Sequence, residues 1–596
     1  MTFDIDVIIF VGFLVANLAI GLLYSGGVTT LREYAIGDKT FSTATLAATI
    51  IATCIGGGFF SGAITESYKQ GLYFIIPALG EPLALIITGY LLAPRMGEFL
   101  KNLSVAEAMG DLYGKNVRLI TALASIFLCA GIVALQFKVA ATILQFIFGI
   151  SSFYAVLASA VIVILYSAIG GVKAVTFTDI IQFFTFGTII PIISLAIWGS
   201  IGEPSKVFAL IEHNAMFDLR AVFDVSNPKF ITTFCLGAFF LIPELQPVFF
   251  QRIVMAQNVA QAKRAFMIGG CVVIVLLLMT SWVGILLLSD NPTLEPNGLL
   301  SYILKSYSYP GLKGLTAVGV IAIVMSTADS YINASAVLLS HDVLDPRQRQ
   351  GIFKSEIMLP RICAVLIGSS AFFLAFKASS ILELLLFILG FYGPIVSVSF
   401  LLAIFGFRST SFSVLIGMAA GFITVVALHI FDLGVDGVIP GVFANLIFFL
   451  GSHYIFRQDG GWVGVLVPEP LIEMRNEKNR RIKERMKSIT QFNFMRFCQN
   501  NAPKEDRTYT FFGLFSLISV FSTMYSIPAE IQQDNASLFK FIYDTVLLSS
   551  TVFLTYPAWP PTVKQEKFIV LFWTFVAPYI LVSAPIILVI ASGFGQ

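Results

Sequence analysis

The sequence predicts an all-α, polytopic membrane protein, and two observations carry this prediction. Hydrophobic residues make up 57% of the 596 positions and charged residues only 12%, whereas soluble domains carry roughly 25% charged residues. Apolar segments of about 20 residues, the length that crosses a bilayer as a helix, recur along most of the chain and are separated by short polar connections. Lipid is therefore expected to be the main solvent of this chain.

The first 458 residues contain about thirteen apolar segments that are long enough to cross the bilayer as helices. The N-terminal residues MTFDID are acidic, whereas a cleaved signal begins with basic residues, so we expect the first helix to be retained. The predicted spans are 5–24, 42–66, 71–94, 118–148, 153–172, 178–200, 231–255, 266–288, 311–340, 359–377, 380–405, 411–431 and 437–456.

Basic residues in the connections predict the orientation of these helices. Arg95 and Lys101 follow the third span, Arg252 and Lys263 are assigned to the connection after the seventh, and Arg347 follows the ninth. Because cytoplasmic connections carry an excess of lysine and arginine, these connections are predicted to be cytoplasmic, which places the N-terminus outside. We expect a multi-pass protein of the cell membrane, with the bacterial inner membrane as its location.

The composition changes after residue 458, where EMRNEKNRRIKERMKSITQFNFMRF forms a charged stretch. This stretch is either a solvated cytoplasmic linker helix or a surface helix bound to anionic lipid. The predicted regions are a transmembrane domain at 1–458, a basic linker at 459–508 and a C-terminal membrane extension at 509–596 with about three helices.

Several classes of function find no support in the sequence. The six cysteines have no close CxxC spacing and the four histidines are dispersed, so we expect neither a transition-metal site nor another cofactor. The net charge of +2 is too small to indicate a nucleic-acid partner. We find no nucleophile and base pair and no phosphate-binding loop in the aqueous connections, and therefore predict that the chain is not an enzyme.

The second and seventh spans contain signals for broken helices. Gly56, Gly57 and Gly58 lie together in ATCIGGGFFSG, and consecutive glycines allow a helical turn to unwind. In LIPELQPVFF, two prolines flank Glu244 and Gln246 and remove two backbone donors. A backbone group cannot remain bare in the bilayer interior, so a break at this depth lines a cavity or binds a ligand.

These two spans begin two successive sets of five helices, at 42–200 and 231–405. Five connections separate the first helix of one set from the first helix of the other. Because this number is odd, the two sets cross the membrane in opposite directions. Paired interruptions at corresponding positions of two halves indicate the binding site of a transporter. For either segment alone, close helix packing and a simple kink would be the favoured explanation; together they favour a transporter.

The ninth span carries oxygen atoms along one helical face. Ser326, Asp329, Ser330 and Asn333 follow at i, i+3, i+4 and i+7. Hydroxyl and carbonyl oxygens suit a hard monovalent cation that must later leave, although a hydroxyl can also bond back to its own helix. A carboxylate at the centre of a span costs about 2.5–3.5 kcal/mol, so Asp329 is expected to be paired or functional.

Four further ionisable residues lie within or near the predicted spans, and two of them have alternative explanations. Asp179 lies with Thr178 in GGVKAVTFTDIIQ, where it would cap the start of the sixth span, take part in ion binding, or do both. Lys138 lies within the fourth span and either pairs with a buried acid or extends to the membrane surface. Glu66 and Glu81 are predicted to lie at the membrane edges.

Several ordered segments resemble the sodium:solute symporter family, which includes proline, pantothenate and sugar symporters. The resemblance covers roughly residues 5–457 and implies the LeuT-type 5+5 inverted-repeat helix bundle, with an extra helix before the core and two after it. The segments are EYAIGDKTFS, ATCIGGGFF, GGVKAVTFTDIIQ, LQPVFFQRIVMAQ and MSTADSYINASAVLLSHDV.

The resemblance also implies three groups of site residues. A sodium site would comprise the carbonyl groups of Ala52, Ile55 and Ile323 and the hydroxyls of Ser326 and Thr327. A second ion site, found in some members, would involve Asp179, Asp329 and Ser330, with Asp329 standing where those members carry a hydroxyl. The substrate would lie near Gly56, Gly57, Glu244 and Gln246.

The predicted function is sodium-coupled symport of a small organic solute by alternating access, with proline or a similar amino acid favoured as the solute. Protons remain an alternative coupling ion because Asp329 makes the site more acidic than hydroxyls and carbonyls alone. The alternative class is a solute-sensing receptor of the same fold that signals to a partner through its C-terminal region.

Overall fold

The computed structural model describes residues 5–465 apart from 202, 244, 308–310, 345–354, 378–387, 389 and 432–436, together with residues 472, 476, 477 and 480. The chain divides into two compact units, Met1–Arg475 and Asn476–Gln596. The predicted C-terminal extension at 509–596 and most of the predicted linker lie outside the described residues.

The polytopic helical prediction is confirmed. Among the described residues, nine helices are long and apolar enough to cross a membrane, and the bent pair Thr43–Cys54 and Gly57–Gln70 adds a tenth. Three shorter apolar helices, Ser152–Leu165, Phe230–Leu241 and Gly390–Ile404, account for the other predicted spans. Each of the thirteen predicted spans therefore has a helical counterpart.

The first half of the bundle begins with a peripheral helix and continues through the first broken span. Local sequence explains several helix starts: Thr30 and Glu33 form a reciprocal capping box at α2, and the Ser42 side chain accepts the Thr45 backbone N–H at α3. The helices are α1 (Ile5–Ser25), α2 (Leu31–Ile36), α3 (Thr43–Cys54), α4 (Gly57–Gln70), α5 (Leu72–Ala78), α6 (Gly80–Ile87), α7 (Val105–Tyr113), α8 (Lys115–Phe148) and α9 (Ser152–Ser200).

The second half contains the second broken span and the most buried helix. A π-helical turn continues α16 as far as Val343, and another, at Gly393–Ser397, precedes α18. The helices are α10 (Pro204–His213), α11 (Leu219–Val222), α12 (Phe230–Leu241), α13 (Pro247–Val254), α14 (Val259–Asp290), α15 (Leu299–Ser306), α16 (Leu312–Val337), α17 (Met358–Lys377), α18 (Val398–Ile404), α19 (Ser411–Ile430) and α20 (Val438–Ile455).

The fifth and sixth spans meet at a single glycine within α9. Gly171 has φ 60° and ψ −176°, a conformation that only glycine adopts readily, and the helix resumes directly after it. Asp179 therefore lies about two turns inside the sixth span, and the predicted capping role for Asp179 is wrong. The Thr178 hydroxyl instead bonds back to the carbonyl oxygen of Val175, 2.9 Å away.

The ninth span forms the centre of the bundle. Of its apolar window within Leu312–Val343, 94% is buried, compared with 17% for Ile5–Ser25. Helix α16 packs against α1, α8, α9 and α17. The polar side chains on α16 are therefore enclosed by protein rather than by lipid.

Two short strands supplement the helices. Strand β1 (Phe407–Arg408) follows α18 and pairs antiparallel with β2 (Gly461–Trp462), with Phe407 opposite Trp462. This pairing attaches the segment after α20 to the connection between α18 and α19.

Candidate functional site

The second span is broken where the glycines predict it. Helix α3 ends at Cys54 and α4 begins at Gly57, and the two helices are bent by 58°. Ile55 and Gly56 form the break. The Gln136 side-chain oxygen, on α8, accepts the Gly57 backbone N–H at 2.8 Å, which satisfies a donor that the break would otherwise leave bare.

The seventh span is broken between Leu241 and Pro247. Leu245 lies in the break with φ 46°, a left-handed conformation that is strained for a leucine. The Tyr392 hydroxyl donates to the Leu245 carbonyl oxygen at 3.0 Å, and the Tyr331 hydroxyl donates to the Gln246 side-chain oxygen. Glu244 lies outside the described residues.

The first break meets the ninth span at a cluster of neutral oxygen atoms. The Ser326 hydroxyl oxygen lies 2.9 Å from the carbonyl oxygens of both Ala52 and Ile323. The Thr327 hydroxyl oxygen lies 3.5 Å from the Ala52 carbonyl oxygen and 3.4 Å from that of Thr53. The structure thus brings together four of the five residues that the resemblance implied for sodium.

The fifth residue of that set, Ile55, lies within the break itself. The bond from Ser326 to Ile323 is the bond back to its own helix that a buried serine commonly makes, but the contact with Ala52 crosses to another helix. Both hydroxyl side chains are buried. Neutral carbonyl and hydroxyl oxygens in such a place can replace the hydration shell of a hard cation.

A second polar group lies one helical turn farther along the same face of α16, at Ser330. Asp179 and Ser330 are both fully buried. The Thr49 hydroxyl donates to Asp179 Oδ2, and the hydroxyl oxygens of Thr53 and Ser330 lie 3.1 Å apart. This group joins α3, α9 and α16, which are far apart in sequence.

Arg252 provides the positive charge of this second group. Its Nη2 atom lies 2.5 Å from Ser330 Oγ, 3.2 Å from Thr53 Oγ1 and 3.4 Å from Asp179 Oδ2. The residue is 1% exposed and lies within α13. The prediction that Arg252 belongs to a cytoplasmic connection is therefore wrong.

The sequence contained a signal for this placement. Arg252 follows Pro247 by five residues, and a proline after a break starts a new helix, so Arg252 falls in the first two turns of a second half-helix. The count of basic residues alone does not distinguish this half-helix from the connection that follows it.

The remaining polar residues of the α16 face are also buried. Asn333 Oδ1 accepts from Gln251 Nε2 at 2.9 Å, and the same nitrogen atom lies 2.5 Å from the Ala35 carbonyl oxygen. Asp329 is fully buried as well. All four residues predicted on this face thus lie inside the bundle.

Glu81 was predicted at a membrane edge, and the structure places it elsewhere. It lies in the first turn of α6, within the span Leu72–Arg95. Its Oε1 atom lies 3.8 Å from the thiol sulfur of Cys54, the last residue before the first break. A Cβ atom on the preceding residue, Gly80, would lie 2.9 Å from the Leu241 backbone nitrogen, so this segment also touches the start of the second break.

Two polar residues of α8, Lys138 and Gln136, lie in different surroundings. Lys138 is half-buried on α8, whereas Gln136 is 3% exposed and contacts the first break through Gly57. Over the described ranges, no group of three or more histidine, cysteine, aspartate and glutamate residues is placed to hold a metal ion. The oxygen clusters described above are the candidates for ion binding because each gathers buried oxygen atoms from different helices.

Comparison with protein families gives one match that covers most of the chain. A sequence model of the sodium:solute symporter family matches residues 34–421. The putative sodium-dependent multivitamin transporter of Drosophila melanogaster is 25% identical over 410 residues, which cover 64% of this chain and 67% of that protein. The sodium/proline symporter of Haemophilus influenzae is 24% identical over 451 residues, which cover 71% of this chain and 88% of that protein.

Among solved structures, a Na+-coupled sialic acid symporter in a substrate-bound outward-open state is similar to this chain with a TM-score of 0.67. The similarity covers 77% of this chain and 99% of that one, at 19% sequence identity. At this identity the likeness establishes the fold alone. The LeuT-type inverted-repeat bundle that the resemblance implied is the fold of this chain.

Proposed function

The chain belongs to the sodium:solute symporter family, and from that premise we propose that it carries a small organic solute across the membrane in symport with sodium. One observation supports this most directly: Ser326 on α16 reaches the Ala52 carbonyl oxygen at the break of the second span. The family and the structural neighbours are transporters, so the expectation that this chain is not an enzyme agrees with its membership.

We propose that sodium binds between the first break and the ninth span. Its ligands are the carbonyl oxygens of Ala52, Ile55 and Ile323 and the hydroxyl oxygens of Ser326 and Thr327. The 2.9 Å contacts of Ser326 support this assignment, because sodium would exchange these hydrogen bonds for ion contacts. A site of neutral oxygens holds a monovalent ion without excess charge and lets it leave.

We place the solute between the two breaks, beside Gly56 and Gly57 on one side and Glu244 and Gln246 on the other. Glu81 joins this neighbourhood through its contact with Cys54. An intramembrane carboxylate is expensive to bury and is expected to meet a partner or a ligand. These acidic residues favour a solute with an amino group, and proline or a similar amino acid is the first candidate.

The coupling of solute transport to sodium follows from the two helices, α3 and α16, that the proposed sodium ion contacts. Sodium at this site would hold α3 against α16 and so stabilise the outward-open arrangement, in which the solute binds. Movement of the broken helices against the rest of the bundle then exposes both ligands to the cytoplasm, where sodium is scarce. A ligand shifts such an equilibrium only by its difference in affinity for the two states, and the downhill entry of sodium supplies the driving force.

The receptor alternative gains no support from the relatives, whose names describe transporters.

We propose that the C-terminal region from 459 to 596 is a regulatory extension, that the N-terminus is outside, and that the protein resides in a bacterial inner membrane. Deletion of 459–596 should leave solute uptake intact. Attachment of a membrane-impermeant thiol reagent to a cysteine introduced at position 2 in whole cells would test the orientation.

The function is tested in two steps. Purified full-length protein is screened for thermal stabilisation by L-proline, pantothenate, lactate and glucose, each with sodium and with potassium, since a ligand of the native state raises apparent stability. Uptake of the stabilising solute into proteoliposomes is then measured with a sodium gradient, with a proton gradient and with neither. The proposal would be overturned if the uptake rate did not depend on the sodium gradient and was also unchanged by the combined Ser326→Ala and Thr327→Ala substitutions.

A further inference from the structure

The Gln136 side chain diverts one backbone N–H group of the second span away from its helical partner. In a continuous α-helix, the Gly57 N–H would bond to the carbonyl oxygen of Thr53, four residues earlier. Instead it donates to the Gln136 side-chain oxygen, on α8, at 2.8 Å. The Thr53 carbonyl oxygen is thereby left to the ninth span, where the Thr327 hydroxyl oxygen lies 3.4 Å from it.

The neighbouring N–H group is diverted by the second span itself. The Gly56 N–H would bond to the Ala52 carbonyl oxygen in a continuous helix, but it donates to the Cys54 carbonyl oxygen at 3.0 Å. Ile55 has φ −83° and ψ 86°, which is close to the inverse γ-turn that such a bond closes. The Ala52 carbonyl oxygen then lies 2.9 Å from the Ser326 hydroxyl oxygen. The break thus depends on two diverted donors, one held by a local turn and one by a side chain of another helix.

The Gln136 amide is seated closely against this break. The residue is 3% exposed, and its oxygen atom faces the Gly57 N–H. A Cβ atom on Gly56 would lie 3.0 Å from Gln136 Nε2 and 3.0 Å from Thr327 Oγ1. The absence of a side chain at Gly56 therefore lets α8 and α16 approach the break from two sides, each with a polar group.

We propose that Gln136 is a positioning residue for sodium binding, which holds the second span open by keeping the Gly57 N–H away from the Thr53 carbonyl oxygen. The inference rests on the proposed function and deepens it, because it names the side chain that presents the backbone ligands to the ion. Without this acceptor the N–H group would be buried with no water to satisfy it. Restoring the helical bond to Thr53 would satisfy it, and the released carbonyl groups would then turn away from the ninth span.

Sodium binding by the purified full-length protein in detergent tests this role. Thermal midpoints are measured against sodium concentration, with potassium added to keep the ionic strength constant, and give an apparent dissociation constant for sodium. Gln136→Leu should raise that constant about 10-fold, the effect of losing one polar interaction in a buried site. Its midpoint in potassium alone should not fall, because the Gly57 N–H regains the Thr53 carbonyl oxygen.

Three further variants separate the acceptor from other effects of the substitution. Gln136→Glu keeps an oxygen acceptor at the same reach and should bind sodium at least as tightly as the wild type. Gln136→Asn keeps the amide but is one methylene shorter, so it should bind sodium as weakly as Gln136→Leu. Gln145→Leu makes the same change at a half-buried position in the last turn of α8 and should match the wild type.

The inference would be overturned if Gln136→Leu bound sodium as tightly as the wild type, even with a lower midpoint in potassium, since Gln136 would then be a structural cap and nothing more. A Gln136→Glu variant as weak as Gln136→Leu would also overturn it. Both results leave the proposed function standing. If Gln136→Leu does not fold, Gln136→Asn decides by the same comparison. A wild-type midpoint that does not respond to sodium would overturn the proposed function and this inference with it.

Discussion

The Ser326 hydroxyl oxygen lies 2.9 Å from the carbonyl oxygen of Ala52, although the two residues are 274 positions apart in sequence. The contact joins the central helix of the bundle to the last turn before the first break. It crosses between the two repeats, because Ala52 lies in the second span and Ser326 in the ninth.

Replacing Ser326 by alanine should weaken sodium activation of uptake by about 10- to 100-fold. The estimate follows because a hydrogen bond or ligand contact with a charged group is worth about 1.5–3 kcal/mol, and each 1.4 kcal/mol corresponds to about tenfold. The measurement is the sodium concentration for half-maximal uptake. Ser335→Ala is the control, since the Ser335 hydroxyl is equally buried and bonds to the Tyr331 carbonyl oxygen of its own helix. Equal effects of the two substitutions would contradict the assignment.

Gly57→Ala should destabilise the protein, whereas Gly58→Ala should not. A Cβ atom at Gly57 would lie 2.9 Å from Val139 Cγ1 and 3.0 Å from Val324 Cγ2, while the space beside Gly58 is open within 4 Å. Overpacking a close contact costs about 1–3 kcal/mol. Thermal unfolding in detergent compares the two variants directly. If both melt at the wild-type temperature, the close packing of the break against α8 and α16 is not needed for stability.

Asp6→Ala should lower stability by about 1 kcal/mol. Asp6 Oδ1 accepts the backbone N–H groups of Gly311 at 2.8 Å and Gly314 at 2.6 Å, so the first helix supplies the N-terminal cap of the ninth span. Loss of such a cap typically costs about 0.5–2 kcal/mol. Asp6→Asn keeps an acceptor and should lose less. The thermal midpoints of the two variants provide the measurement, and a larger loss in Asp6→Asn would refute the capping role.

Glu107 should make stability depend on pH in mildly acidic solution. Burial opposes its ionisation, but contacts with His341 and the Leu103 backbone N–H, together with the charge of Arg118, lower its pKa below the ordinary 4.5. A lowered pKa in the folded state stabilises the protein above about pH 4.5. That contribution disappears as the pH falls through the lowered value.

Thermal midpoints between pH 7 and pH 3.5 test this dependence. The wild type should lose stability as the pH falls below about 4.5. Glu107→Gln should be less stable at pH 7 and should show a shallower decline with acid. Glu203→Gln, which changes an exposed residue paired with Lys206, should follow the wild-type curve. A Glu107→Gln curve parallel to the wild type would rule out this contribution.

The spans and their breaks could be predicted because their causes are local. Twenty apolar residues form a helix in lipid whatever their neighbours, and Gly56 to Gly58 or Pro243 with Pro247 disrupt a helix through their own backbone chemistry. The polar face from Ser326 to Asn333 follows from helical periodicity alone. The predicted start of the sixth span, at residue 178, is too late, because the helix resumes directly after Gly171. One residue in this conformation is enough to redirect a helix, and the amino-acid composition of the segment does not reveal so short a turn.

The partners of the polar residues could not be predicted in the same way. The glycines before Asp179 favour a helix cap, and a lysine within a span, such as Lys138, favours pairing with a buried acid. Arg252 supplies the counter-charge to Asp179, and Glu81 lies beside Cys54 instead of at a membrane edge. Contacts of this kind depend on which helices pack against each other. Neither the periodicity nor the composition of the sequence predicts that packing.

The sequence by itself determined that this protein crosses the membrane many times, that two helices are broken, and that one helix carries a row of oxygen atoms. Each of these follows from the solvent preference or backbone freedom of residues that are neighbours in the chain. Only the tertiary structure decided that Ser326 reaches Ala52 and that Arg252 lies among Asp179, Ser330 and Thr53. Those outcomes depend on the packing of four helices around a shared interior, where each buried charge must find its partner in three dimensions.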